Sequence, residues 1–355
     1  MGGFHPYRQS CDRHRCTVSA RGTVAGRGSR CRLAPRPPEA PERTMDDGLT
    51  FHHSRMTDAL SQLIRLAHLH GSVDLRCLMA GQFMVDHEAA EPGEVPFYLV
   101  LDGRCAVTTD SATVTLSTGD LLLVSRGEAH QVTAPSGRKF RFSDESGPMF
   151  TTRRTVGVKP DLDLFCGHYH FDTAAGELLF RLLPALVHVT PDTAATTLAD
   201  LLRDEARFAG PGSAAVVSAL CDAMLAMGLR SRPEQRLDTP ALWTALGDEA
   251  LGKVVSGIVE RPGDSWTIER MAETASMSRS TFLRRFTART GTTAATLLTT
   301  IRMMVAADLL TNSDRSMSRI AGDVGYSSES AFSQAFRATV GLSPAQYRKN
   351  AVHHE

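Results

Sequence analysis

Apolar positions follow two different rhythms along this chain, and the changes of rhythm mark its organisation. From Met56, residues Leu60, Leu63, Ile64, Leu66 and Ala67 fall at helical spacing, with Thr57 placed to cap the helix and Gly71-Ser72 to stop it. Over 73–172 the apolar residues come in short runs instead, at 73–79, 97–101, 105–109, 114–116, 121–124 and 131–133, broken by Gly, Asp, Ser or Pro. That pattern predicts a β-barrel or sandwich. Helical spacing returns after Asp172. Leu178, Leu179, Leu182, Leu183 and Leu186 make one stripe, and Leu198, Leu201 and Leu202 begin another. Residues 212–229 then place Val216, Val217, Leu220, Cys221, Met224, Leu225 and Met227 mostly on one face. That face fits core packing or a Met-containing dimerisation helix. It ends before a polar, proline-bearing linker at 231–240, the best domain boundary in the chain. Leu246, Ala250, Leu251, Val254, Val255, Ile258 and Val259 form a further amphipathic helix, stopped by Pro262-Gly263.

The last third repeats itself. Ser278 and Ser328, Phe282 and Phe332, Phe286 and Phe336, and Gly291 and Gly341 each lie fifty positions apart, and Met271-Ala272 matches Ile320-Ala321. Each copy predicts a short helix, a tight turn, a serine cap and a second helix with apolar residues at i and i+4, the grammar of a helix-turn-helix. Thr267, Ser278, Ser316 and Ser328 are the expected caps, and Met277-Ser278 and Gly325-Tyr326 the expected turns. One long helix from 293 to 312, carrying Leu297, Leu298, Ile301, Val305, Ala306, Leu309 and Leu310, joins the copies rigidly.

With Phe282 and Phe286 buried, the opposite face of the first reading helix offers Arg279, Ser280, Thr281, Leu283, Arg284 and Thr287. Arg284 is suited to bond guanine bidentately, and Ser280 and Thr281 to read nearby edges or phosphate. The second helix offers Ser328, Glu329, Ser330, Ser333 and Gln334, which read by hydrogen bonds with little charge. Two helices held one duplex turn apart, about 34 Å or 10 bp, are the geometry expected for adjacent major grooves.

Charge adds little to this picture. The formal net charge is zero, and residues 262–355 carry eleven Lys/Arg against eight acids, a weak basic footprint for a nucleic-acid binder. Seven Cys without a CxxC fit reduced thiols in a cytoplasm. No apolar run approaches the length of a membrane span. Residues 1–45 carry nine Arg against three acids and show no period. They read as a leader preceding true initiation at Met45 or Met56, or as a disordered basic arm. Cys11, Cys16, Cys31, His5 and His14 lack the close Cys spacing of a zinc hook.

The C-terminal half resembles the AraC/XylS family of bacterial transcription regulators. The residues that carry the likeness are Trp266-Thr267, Met271-Ala272, Met277-Ser278-Arg279-Ser280-Thr281-Phe282 with Arg284-Arg285-Phe286, the run 302–310, Ile320-Ala321 and Val324-Gly325-Tyr326. The segment 328–336 with Gly341-Leu342-Ser343-Pro344-Ala345-Gln346-Tyr347-Arg348 is the strongest part. After Gly291 the family commonly has Ser-Pro and an aromatic, where this chain has Thr293-Ala294 and Leu297.

Residues 57–245 resemble the cupin-type regulatory domain attached to some members of that family. The likeness rests on 63–71, 97–103, Gly119-Asp120-Leu121, Arg126-Gly127-Glu128-Ala129-His130, Leu164-Phe165-Cys166-Gly167 with Phe171, Pro211-Gly212-Ser213-Ala214 and Leu242-Trp243-Ala245-Leu246. Ser125 stands where the second cupin motif usually has proline, and Tyr98 where a histidine is often found. A metal site would need His87, Glu94 and His130 to converge, and a satisfied structural His130 is the simpler expectation. Cys166, beside His168 and His170, is a candidate redox thiol if charged imidazoles lower its pKa.

The expected fold is thus a multi-domain α+β chain. It has a leader at 1–55, a cupin-like β-barrel with a helical extension at 56–230, a linker at 231–245, and an all-α domain with two helix-turn-helix motifs at 246–350. The expected function is sequence-specific transcription regulation in the bacterial cytoplasm. Double-stranded DNA, a small-molecule or redox effector and RNA polymerase are the expected partners of a homodimer, with no membrane and no cofactor. A metal-dependent cupin enzyme with a DNA-binding tail is the alternative. A third reading is a small-molecule binding protein that uses its helix-turn-helix region only for interaction.

Overall fold

The computed structural model describes residues 58–134, 137–171, 173–190, 193–208, 210–230 and 242–351, all within one compact unit, Ser54–Glu355. The arginine-rich leader, its Cys and His residues, Thr57 and the linker at 231–240 lie outside the described residues.

The N-terminal half is β-rich with helices on one side. Helix α1 (Ala59–Ala67) is capped by Asp58, whose carboxylate accepts the Ser61 N–H at 3.0 Å. It ends at His68 in the left-handed region, so Gly71 and Ser72, expected to stop the helix, lie instead within strand β1 (Leu69–Met79). There follow β2 (Phe83–His87), β3 (Glu94–Asp102), β4 (Arg104–Thr109), β5 (Thr113–Ser117), β6 (Leu121–Val124), β7 (His130–Ala134), β8 (Phe142–Ser146), β9 (Thr151–Thr155) and β10 (Leu162–Phe171). Then come α2 (Ala174–Arg181), β11 (Leu186–Val189), α3 (Thr193–Phe208) and α4 (Ser213–Arg230). Leu186, expected on a helical stripe with Leu178 and Leu182, opens β11 and pairs with Val124.

The described strands form two sheets rather than one closed barrel ladder. The larger runs β11-β6-β3-β10-β1-β9-β8, the smaller β2-β7-β4-β5. Phe97, Leu99, Leu121, Leu123, Phe165 and Tyr169 point from the larger sheet into the core shared with the helices. Tyr98, Val100, Leu122, Val124 and Leu164 alternate with them and pack against Phe83, Val107, Leu116 and Val132 of the smaller sheet. Both faces of β3 and β6 are therefore buried, which is why those strands read as unbroken apolar runs.

A bulge in β1 changes what its side chains face. Val73 pairs with Gly167 and Leu75 with Cys166, leaving Asp74 as the extra residue. Leu69 and Val73 before the bulge belong to the helix-side core, whereas Cys77 and Met79 after it face the smaller sheet. One inserted residue turns the alternation over.

The C-terminal half is all helix: α5 (Leu242–Leu246), α6 (Glu249–Glu260), α7 (Ile268–Thr274), α8 (Arg279–Thr290), α9 (Ala294–Asn312), α10 (Met317–Asp323), α11 (Glu329–Val340) and α12 (Pro344–Ala351). Helix α5, in the stretch expected as linker, packs on α6 and α8. Helices α4 and α9 are long and apolar enough to cross a membrane by composition, but 56% of that window in α9 is buried inside the protein. There it forms the wall on which both helix-turn-helix units rest.

Candidate nucleic-acid interface

Both units are built as the repeat predicts. Thr267 caps α7 and Ser316 caps α10, while Ser278 and Ser328 cap α8 and α11, accepting the N–H groups of Thr281 and Ala331. Phe282, Phe286, Phe332 and Phe336 are fully buried, and their rings pair within each helix at 5.4 and 5.7 Å. The first turn pivots on Ser276 at φ 54° and the second on Gly325 at φ 83°. Met277 N–H reaches Ala272 O at 2.9 Å, and Tyr326 N–H reaches Ala321 O at 2.8 Å. The turns are therefore forty-nine residues apart while the caps are fifty apart, so the second unit holds one extra residue, Ser327, before its cap.

Arg279, Ser280, Arg284 and Thr287 are exposed on α8, and Glu329, Ser330 and Gln334 on α11 with Ser328 at its cap. Thr281, Leu283 and Ser333 are half-buried. The Thr281 hydroxyl is engaged by Ser278 at 3.0 Å, and Leu283 packs against the core. Arg279 pairs with Glu269 of α7 at 3.1 Å. Arg284 makes no ion pair with the described residues, whereas Arg285 reaches back to Asp248 at 2.6 Å, the carboxylate that also caps α6. The guanidinium and the backbone N–H groups of Ala250 and Leu251 hold the Asp248 pKa down against burial, which opposes ionisation. Arg285 is thus a brace, whereas Arg284 is an exposed cation without an ion pair among the described residues.

The joint between the two units rests on contacts distant in sequence. Arg302, midway along α9, donates to Pro262 O at 2.9 Å and Asp264 O at 3.0 Å, in the loop before α7. The same guanidinium lies 5.6 Å from the centre of the Tyr326 ring in the second unit's turn. A Cβ on Gly263 would stand 2.4 Å from Asp323 O, so the first loop touches the second turn directly. Burial lowers the Arg302 pKa. A lone cation in a mostly apolar helix was the one local signal of this joint.

The β-rich half meets α9 and α12 through α1 and α2. His68 bonds Asp308 at 2.9 Å, and the Tyr347 hydroxyl accepts the Ala174 N–H at 2.9 Å, at the first residue of α2. Tyr347 also packs edge-on against Phe336 of α11, with centroids 5.5 Å apart.

Within that half, His87, Glu94 and His130 do not assemble into a ligand set. His130 Nδ1–H donates to Glu128 O at 2.7 Å, so its Nε2 accepts the Tyr98 hydroxyl proton at 2.5 Å, and neither nitrogen keeps a lone pair for a metal. His87 stacks on that ring at 5.1 Å. Burial and the neighbouring imidazole push its pKa down to about 4. Glu94 turns away to His170 Nδ1 at 3.5 Å. No cluster of three His, Cys, Asp or Glu suited to a metal occurs among the described residues.

Cys166 also differs from expectation. His168 is drawn to Asp74 at 2.5 Å, which raises the imidazole pKa while the carboxylate offsets the imidazolium charge. Contact with the Cys77 sulfur and loss of solvation raise the pKa of the partly buried Cys166 thiol. Cys77 is the group shifted toward thiolate, first by that contact and then by Arg153.

Known proteins match both halves. A family model described as Cupin covers residues 58–232, and one described as Helix-turn-helix domain covers 271–350. An HTH-type transcriptional regulator of Haemophilus influenzae is 31% identical over 82% of this chain and 99% of its own. The HTH-type transcriptional regulator MtrA of Neisseria gonorrhoeae is 31% identical over 82% and 98%. An AraC-like transcription regulator of Streptomyces antibioticus is 31% identical over 84% and 99%. Among solved structures, the DNA-binding domain of AdpA in complex with a target DNA is 36% identical, covering 30% of this chain and 97% of that one at a TM-score of 0.30. The chain belongs to the AraC/XylS family of bacterial transcription regulators, as a sequence-specific DNA-binding regulator of transcription.

Proposed function

We propose that α8 and α11 enter adjacent major grooves on one face of the duplex, with recognition divided unequally between them. Arg284 reads guanine in the first groove, with Arg279, Ser280, Thr281, Leu283 and Thr287 flanking it. Glu329, Ser330, Ser333 and Gln334 read the second by hydrogen bonds, with Ser328 at the helix start. The first helix supplies most of the phosphate attraction, because α8 is basic and α11 pairs one Glu with one Arg. The observation that carries this reading is the Arg302 joint, which ties the loop of one unit to the turn of the other.

The two-sheet domain is the cupin-type sensor, taking a small-molecule or redox signal and passing it through α2 to Tyr347 and α11. Exposed apolar Val216 on α4 supports a homodimer, and RNA polymerase is the downstream partner. Hydroxyl-radical footprinting of the full chain on a site selected from random duplex tests the reading. Two protected patches one helical turn apart on the same face are expected. A single patch would remove α11 from the interface.

A further inference from the structure

Strands β1 and β10 bring two thiols to the wall of one small, partly open space between the sheets. Cys77 and Cys166 lie on the same face, two register positions apart, with Leu75 opposite Cys166 and Cys77 opposite Leu164. Both side chains line the same cavity, close enough for each thiol to shift the other's pKa. Leu75, Met79, Phe83, Val85, Val132 and Leu164 make the apolar walls, and His87 and Arg153 supply the polar groups. The space holds little more than a water-sized molecule. It therefore suits a small oxidant and not a drug-sized effector.

Building on the regulator reading above, we infer that Cys77 and Cys166 are a peroxide-reactive dithiol whose closure to a disulfide changes DNA affinity. The Cys77 thiolate attacks a hydroperoxide: an S–O bond forms, the O–O bond breaks, and the alcohol or water leaves with a proton. Cys77 is now a sulfenic acid, oxidised by two electrons, and the peroxide is reduced by two. The Cys166 sulfur then attacks Cys77. An S–S bond forms, the S–O bond breaks, and water carries off the Cys166 proton. Arg153, held by Asp144 at 2.7 and 2.8 Å, places its charge beside the first thiolate.

Selectivity among the described thiols follows from surroundings. Burial pushes Cys105 and Cys221 up to about 12, so both remain protonated and inert. Closure also has mechanical consequences. Diagonal neighbours in an antiparallel pair commonly sit about 7–8 Å apart at Cα, while a disulfide spans at most about 6.8 Å. The bond must therefore draw β1 and β10 together, and the ladder is weakest beside them, at the Asp74 bulge. β10 leads directly through Thr173, the α2 cap, to Ala174, whose N–H is held by Tyr347 against Phe336 of α11. A shift of β10 is thereby delivered to the second reading helix.

The test titrates the reduced full chain with hydrogen peroxide under anaerobic conditions. Cys pairing is mapped by alkylation and peptide mass, and affinity for a selected duplex site is followed by anisotropy. Expected is a Cys77–Cys166 linked peptide, together with a change in affinity of about fivefold or more, as for allosteric couplings generally. Cys166→Ser should leave a dimedone-reactive Cys77, and Cys77→Ser should leave Cys166 unmodified, each with affinity fixed near the reduced value. Absence of the linked peptide, or its formation with affinity unchanged, overturns the inference. Failure of the reduced protein to bind any duplex would instead overturn the DNA-reading account, since the peptide map is read independently of DNA.

Discussion

Arg302 and Tyr326 meet across the joint between the two helix-turn-helix units, the guanidinium 5.6 Å from the ring centre. Because the same side chain also bonds Pro262 O and Asp264 O, one residue of the connecting helix holds both units at once. Spacing between the reading helices is set by this bracket as well as by the stiffness of α9. Arg302→Ala leaves two carbonyls without their donor, at a cost of about 1–3 kcal/mol. Duplexes selected by the variant should show a broader range of separations between the two conserved blocks, with each block's sequence unchanged. An unaltered single separation would assign the spacing to α9 alone.

Arg284 and Arg285 are neighbours with opposite fates. Arg284→Ala should cost about 1–3 kcal/mol on the selected site and relax preference at one base pair. Arg285→Ala should lower the thermal midpoint through loss of the Asp248 pairing while keeping the base preference. Binding curves for every single-base variant of the site separate the two, and a base preference lost with Arg285 would reverse the roles.

The Tyr347 hydroxyl is one of the contacts that join the halves. Tyr347→Phe keeps the ring on Phe336 and removes the acceptor for the Ala174 N–H together with the hydroxyl's contact with Thr311, a loss of about 1 kcal/mol per bond. Hydrogen exchange at Ala174 should accelerate while the Phe336 region stays protected. Faster exchange throughout α11 would mean that the hydroxyl carries core stability as well.

Acid should weaken the β-rich half through His87. Its folded pKa is about 4 against an ordinary 6.5, so between those values the unfolded chain binds a proton that the folded chain refuses. Stability falls as pH drops through that window. His130 acts in the same direction, because its pKa is lowered too. His168 opposes both: Asp74 raises its pKa, so its contribution is complete at low pH and is lost as pH rises through the raised value. His87→Gln should flatten the acid limb of the thermal midpoint against pH, and an unchanged limb would contradict the assignment.

The C-terminal half was legible because its signals are local and doubled: four serine or threonine caps, four phenylalanines and two glycine stops. The β-rich half was less so. Strand β8 is exposed throughout and shows no alternation, and β10 mixes Gly167, His168 and His170 into its run. The bulge at Asp74 reverses the parity of β1, which no period count registers. Candidate reading residues were visible as an exposed helical face, whereas Arg302, Arg285 and the Cys77–Cys166 pair depend on contacts distant in sequence. The metal triad failed because Glu94 is drawn to His170 and His130 is saturated by Tyr98 and Glu128.

Affinity of the full chain for a selected site, measured as base pairs are inserted one at a time between its two blocks, probes the central claim most directly. A bracketed pair of reading helices predicts a steep loss after one or two inserted pairs, with the minimum near half a helical turn, about 5 bp. Affinity indifferent to the insertions would mean that the two helices do not read the duplex as one rigid unit.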